Sequence, residues 1–162
     1  MKNAPPIIAF TGPSGSGKTT LIEKLIARLA GDGVRVGAIK RSHHRIDIDR
    51  EGKDSHRFRE AGANPVVVTD GSFIGWMEKS REPATLEALR ERFTGKADII
   101  IVEGFKGEAV PRFVFAGEEQ AFPEAGVVGV ITAEPAEPAP GAPVFHRDEV
   151  DAVAAWIMRN LL

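Results

Sequence analysis

The chain has 162 residues, a length that suits one domain with its own core. Hydrophobic residues make up 43% and charged residues 27%, and no cysteine is present, which excludes disulfides and thiolate metal sites and suits a reducing compartment. The formal net charge of -2 gives no global attraction to nucleic acid, and no apolar run approaches the roughly 20 residues of a membrane span.

The first six residues, Met1 to Pro6, carry one positive charge and no apolar signal core, so a cytoplasmic protein is expected. Ile7 to Thr11 is a short apolar run ending at glycine and reads as a buried strand. Leu21, Ile22, Leu25, Ile26 and Leu29 follow at helical spacing, and Gly31-Asp32-Gly33 stops that helix. Val34 to Lys40 reads as a second strand, which completes a βαβ unit with parallel strands.

Arg41 to Gly52 has no period and is dense in charge, so it reads as a functional loop. Asp54 to Ala61 suits a short helix. Pro65 to Thr69 and Ser72 to Met77, separated by the Asp70-Gly71 turn signal, suit a hairpin. Pro83 to Phe93 reads as a helix, and Ile99 to Val102 as the most strongly buried strand. Arg112 to Phe115 and Val127 to Ile131 are further strands. Ala133 to Pro143, rich in proline and alanine, reads as a loop, and Asp148 suits the cap of a final helix. Trp156 lies at core spacing on that helix, whereas Phe73 and Trp76 suit core or a dimer surface.

Strands alternating with helices predict one α/β domain over residues 1–162. Its architecture is a three-layer P-loop NTPase fold, a mostly parallel sheet with helices on both faces and a hairpin extension. Ligands of such folds sit at the carboxyl ends of the strands. Gly12-Pro13-Ser14-Gly15-Ser16-Gly17-Lys18-Thr19, followed by Thr20, forms a complete P-loop between a strand and an amphipathic helix. Its glycines let the backbone wrap phosphate, and the helix presents its positive end to the same anion. Lys18 is positioned for the β- and γ-phosphates and the Thr19 hydroxyl for magnesium. Glu103, at the carboxyl end of the Ile99 strand, supplies the acidic partner that a magnesium site needs; Asp98 belongs to the opposite end.

The charged loop adds further candidates. His43 and His44 suit proton shuttling or phosphate binding, Asp47 and Asp49 suit magnesium or water positioning, and Lys53 suits a second anionic ligand. Lys106 suits a phosphate or a pterin equally with an exposed loop position.

Three elements then carry a resemblance. They are the P-loop with Thr20-Leu21, the stretch His43-His44-x-x-Asp47-x-Asp49-x-x-Gly52-Lys53-Asp54-Ser55 with Ala61-Gly62-Ala63, and Glu103-Gly104-Phe105-Lys106 with Pro111. Together they resemble the MobB family of molybdopterin-guanine dinucleotide biosynthesis adaptor proteins. The resemblance implies a homodimer that binds GTP with magnesium and hydrolyses it weakly. It implies assistance to a MobA-type guanylyltransferase that attaches GMP to molybdopterin, and it leaves direct binding of molybdopterin open.

Arg41, Ile46 and Glu51 stand where the family commonly has histidine, phenylalanine and proline. Ala133 stands near the position where related GTP-binding folds often place a guanine-reading aspartate, with Glu134 one residue later. A small-molecule kinase is the alternative reading, with Arg41, Arg45, Arg50, Arg57 and Arg59 available to a lid. A metallochaperone GTPase has only His43-His44 in its favour.

Overall fold

A computed structural model of the chain describes residues 4–42, 44, 46, 48–116, 126–134 and 142–162. It divides into two compact units, residues 1–41 with 86–162 and residues 42–85.

The larger unit is built on six strands: β1 (Ile7–Thr11), β2 (Val36–Lys40), β5 (Ile99–Glu103), β6 (Arg112–Phe115), β7 (Val127–Thr132) and β8 (Val144–His146). They form one sheet in the order β2-β5-β1-β6-β7-β8, and every neighbouring pair is parallel. All five residues of β1 are buried, as are the first four of β5. This is the pattern of strands covered on both faces.

The two faces separate by alternation. Ile8, Phe10, Ile99 and Ile101 join a core with Leu21, Ile22, Leu25 and Leu29 of α1 (Lys18–Gly31) and Val153, Ala154 and Ile157 of α4 (Val150–Leu161). Ile7, Ala9, Ile100 and Val102 join a smaller core on the other face with Phe105 and Leu86 of α3 (Leu86–Glu91). Helices therefore cover both faces, as the three-layer reading requires. Arg28 on α1 bonds Asp151 on α4 through Nε at 2.6 Å and also pairs with Asp32, tying the two helices on one face together. Among the described residues no helix is long and apolar enough to cross a membrane.

The smaller unit consists of α2 (Asp54–Glu60) and an antiparallel pair, β3 (Val66–Thr69) and β4 (Ile74–Met77). Asp70 shapes the turn between the strands by accepting hydrogen bonds from the backbone N–H groups of Ser72 and Phe73. Asn64 closes the other end, donating to Lys79 O at 2.9 Å and accepting from Lys79 N at 2.7 Å. Several large apolar residues of this unit stand exposed, among them Ile48, Phe73, Ile74 and Trp76.

Several element ends differ from expectation. β2 begins at Val36 rather than Val34, and α3 spans only Leu86–Glu91 of the stretch from Pro83 to Phe93. β8 was not expected, because three residues beside a proline carry too short a pattern. Glu149, not Asp148, occupies the cap of α4; Asp148 instead approaches Lys24 at 3.5 Å. Most of the loop expected from Ala133 to Pro143 lies outside the described residues.

Phe113 lies at the centre of the larger core. It is stacked on Phe10 with centroids 5.3 Å apart and met edge-on by Phe145 and Trp156. Gly129 pairs with it across β6 and β7, and a Cβ at that glycine would stand 2.5 Å from the Phe113 ring. A ring held on three sides cannot retreat, so Gly129→Ala is expected to cost about 1–3 kcal/mol of stability, the usual penalty of overpacking. Urea denaturation checks this; an unchanged midpoint would contradict the packing described.

Candidate functional site

The site grows from the junction of β1 and α1. Gly12 leaves the strand at φ 148°, a region that favours glycine. A Cβ there would stand 2.6 Å from Phe115 Cβ, so the chain turns where no side chain fits. Gly17 caps α1 in the left-handed region at φ 91°. No side chain caps this helix and no acidic residue stands in its first turn. The helix itself thus supplies no negative charge at its positive end.

Lys18 lies back along the loop. Its ammonium donates to Pro13 O and lies 3.3 Å from Ser16 Oγ. Burial pushes its pKa down; Glu103 opposes this, and Lys106 and Lys40 add to the lowering. Three lysine cations thus gather around one carboxylate and leave a net charge of +2. That field suits a polyanion.

The parallel register delivers Glu103 to this point. Phe10 pairs with Glu103 between β1 and β5, and Lys40 pairs with Glu103 between β2 and β5. The Thr19 hydroxyl donates toward the carboxylate, at 3.2 Å to Oε2 and 3.4 Å to Oε1. Lys40 Nζ lies 3.3 Å from Oε2. Asp98, at the other end of β5, pairs with Arg35 at 2.5 Å, as its place in the strand requires.

The turn after β5 is held from two sides. Arg41 donates its backbone N–H to Glu103 O at 2.9 Å and lays its guanidinium 5.1 Å above the Phe105 ring. Phe105 itself sits at φ 55°, an uncommon conformation for a bulky residue. Arg112, buried in β6, donates Nη1 to Lys106 O at 2.7 Å and Nη2 to Glu108 O. Its guanidinium thereby fixes the turn that carries Lys106. Neither Lys40 nor Arg112 stands out in the linear sequence. Their positions in parallel strands, Lys40 across from Glu103 and Arg112 across from Ala9, become informative only once the strand order is known.

The structure thus brings together Gly12, Pro13, Ser14, Gly15, Ser16, Gly17, Lys18, Thr19 and Thr20 with Glu103 and Lys106. The candidates of the charged loop belong to the smaller unit. His43 and Asp47 lie outside the described residues. His44 is exposed, and its N–H bonds Ser42 Oγ at 3.0 Å. Lys53 stands exposed at the cap of α2. Asp49 accepts from Ser55 at 2.8 Å, Arg59 at 3.0 Å and the Arg50 N–H at 3.0 Å. Desolvation pushes its carboxyl up, but these bonds outweigh it and hold the group below the usual carboxylate range. Within its unit Asp49 anchors the charged loop to α2.

Beyond β7, the Ala133 carbonyl lies 2.8 Å from His146 Nε2, so His146 bridges the ends of β7 and β8. Arg147 follows, and its Cδ lies 4.0 Å from where a Gly17 Cβ would stand.

The residues present fit a nucleoside triphosphate and magnesium. The turn at Gly12 has no space for a side chain, no side chain caps the helix, and a hydroxyl of its first turn meets a carboxylate. Among the described residues no group of three or more histidines, aspartates or glutamates forms a metal cage. Two protein oxygens suit magnesium, which keeps waters and phosphates in its shell.

Comparison with known proteins places the chain in a family. The family model described as "Molybdopterin guanine dinucleotide synthesis protein B" matches residues 7–132. The chain is 41% identical to a molybdopterin-guanine dinucleotide biosynthesis adapter protein of Haemophilus influenzae, over 76% of this chain and 70% of that one. It is 43% identical to the Escherichia coli protein of the same name, over 67% of this chain, and spans 64% of that relative's length. Among solved structures, Bacillus subtilis MobB superposes with a TM-score of 0.80 at 26% identity, covering 97% of this chain and 98% of that one. A second structure of molybdopterin-guanine biosynthesis protein B superposes with a TM-score of 0.75 at 29% identity, covering 96% and 98%. The chain belongs to the MobB family.

Proposed function

We propose that this chain binds GTP with magnesium, hydrolyses it slowly, and acts in the cytoplasm as an adaptor in the attachment of GMP to molybdopterin. The observation that carries the nucleotide part is the contact of Thr19 with Glu103 beside the P-loop. The names borne by its relatives support the adaptor part. The partner proposed is a MobA-type guanylyltransferase.

In this reading the loop from Gly12 to Thr19 offers its amides to the β- and γ-phosphates, and Lys18 leaves the Pro13 carbonyl for phosphate oxygen. Thr19 and Glu103 would hold magnesium, which would supply neutralisation of negative charge on the phosphates. Lys106 adds a further cation on the same side. Its turn is already fixed by Arg112, so little ordering is needed when an anion arrives. None of these residues is a general base for water, and slow hydrolysis follows from that. His43, His44, Asp47, Asp49 and Lys53 are proposed to serve the chemistry of the smaller unit, with Asp49 as its anchor. Guanine would be read at the ends of β7 and β8, where Ala133 has no carboxylate to offer and Glu134 follows one residue later.

The exposed apolar residues of the hairpin support self-association. A two-stranded sheet is marginal alone, and Phe73, Ile74 and Trp76 would be covered by a second copy.

Two variants test this reading. Lys18→Ala should reduce GTP affinity about a hundredfold by calorimetry, in line with loss of a charge-assisted contact to phosphate. The same variant should lose stimulation of GMP transfer in a reconstituted guanylyltransferase assay. Unchanged affinity would remove the nucleotide assignment, whereas lost affinity with intact stimulation would remove its link to the adaptor role. Ile74→Asp should shift the protein from dimer to monomer by light scattering without changing its circular dichroism; a dimer that persists would place self-association elsewhere.

A further inference from the structure

Lys40 is the last residue of β2 and stands directly across from Glu103 at the end of β5. Its ammonium lies 3.3 Å from Glu103 Oε2, the same oxygen that lies 3.2 Å from the Thr19 hydroxyl. The two partners differ in freedom. The Glu103 side chain is 19% exposed, whereas that of Lys40 is 62% exposed on a flexible four-carbon stem. One carboxylate is thus fixed, and one cation is free to leave it.

Thr19 and Glu103 supply the two oxygens proposed to hold magnesium, and any role for Lys40 at this carboxylate rests on that reading. A divalent ion on Glu103 and an ammonium on the same oxygen repel each other strongly at contact distance. Each therefore weakens the other's hold on the carboxylate, and the exposed lysine is the one that can move away.

We propose that Lys40 is the stand-in for magnesium at Glu103: it neutralises the carboxylate while the metal is away and yields it when the metal binds. Without metal, a bare Glu103 carboxylate beside the P-loop would repel a triphosphate. Lys40 cancels that repulsion. With metal bound, the carboxylate is already neutralised and Lys40 contributes little. Lys40 therefore narrows the difference between triphosphate affinity with and without magnesium. An ordinary phosphate-binding lysine acts otherwise. It acts on the phosphates and not through Glu103, so its loss changes the ratio equally whether or not Glu103 carries a charge.

The quantity to measure is the dissociation constant of a non-hydrolysable GTP analogue in EDTA divided by that in saturating magnesium, by calorimetry. Lys40→Met is expected to raise this ratio about threefold, the size of a partly exposed ion pair, through a larger loss of affinity in EDTA than in magnesium. Lys40→Arg should keep the wild-type ratio. In a Glu103→Gln background, Lys40→Met should leave the ratio unmoved, because the two residues act as one unit. A ratio that is unchanged or lower in Lys40→Met overturns the proposal, as does an equal rise in the Glu103→Gln background. If the wild-type chain binds the analogue in neither condition, the nucleotide assignment fails and this inference with it. Wild-type binding with an unmoved Lys40→Met ratio removes this inference alone.

Discussion

Parallel pairing of β1 with β5 decides where charge meets charge in this protein. Phe10 stands across from Glu103, so the carboxylate ends its strand level with the start of the P-loop. The same pairing on the far side of β5 brings Lys40 to that carboxylate. A slip of one residue would turn Glu103 to the opposite face of the sheet. Burial resists such a slip. Ile99 and Ile101 fill one core and Ile100 and Val102 the other, and both cores are closed by helices. The functional geometry thus depends on an apolar alternation that contains no functional residue.

Around that fixed carboxylate the site collects positive charge. Lys18, Lys40 and Lys106 come from three different segments, and burial keeps the Lys18 ammonium under pressure to lose its proton. A polyanion relieves that pressure, and so does any contact that keeps the proton in place. The bonds from Lys18 to the Pro13 carbonyl and toward Ser16 do the second job within the loop itself. Arg112 contributes at one remove. Its buried guanidinium binds two carbonyls of the turn after Phe105 and so orders the backbone that carries Lys106.

Much of this is legible in the residues. The apolar run of β1, the P-loop and the helical spacing of α1 lie next to one another in the chain, so local pattern suffices. Glu103 stands out because four buried residues precede it and its strand points it to the ligand edge. Lys40 and Arg112 do not stand out, since their roles depend on which strands are neighbours. Strand order β2-β5-β1-β6 joins segments far apart in the chain, and no local period encodes it. The charged loop is legible as a motif but not as chemistry. Asp49 reads as a metal ligand in one dimension, yet its carboxylate is tied to Ser55 and Arg59 within the smaller unit. β8 escapes because three residues beside a proline hold no pattern, although it brings His146 to Ala133 and Arg147 to the flank of Gly17.

The central claim is that the backbone between Gly12 and Thr19 receives a triphosphate. The most direct test follows the amide resonances of uniformly nitrogen-15-labelled protein while magnesium and GTP are added. The largest shifts are predicted to fall on Gly15, Gly17, Lys18 and Thr19, with saturation at one nucleotide per chain. Shifts confined to other segments, with those four amides unmoved at saturating nucleotide, would contradict it.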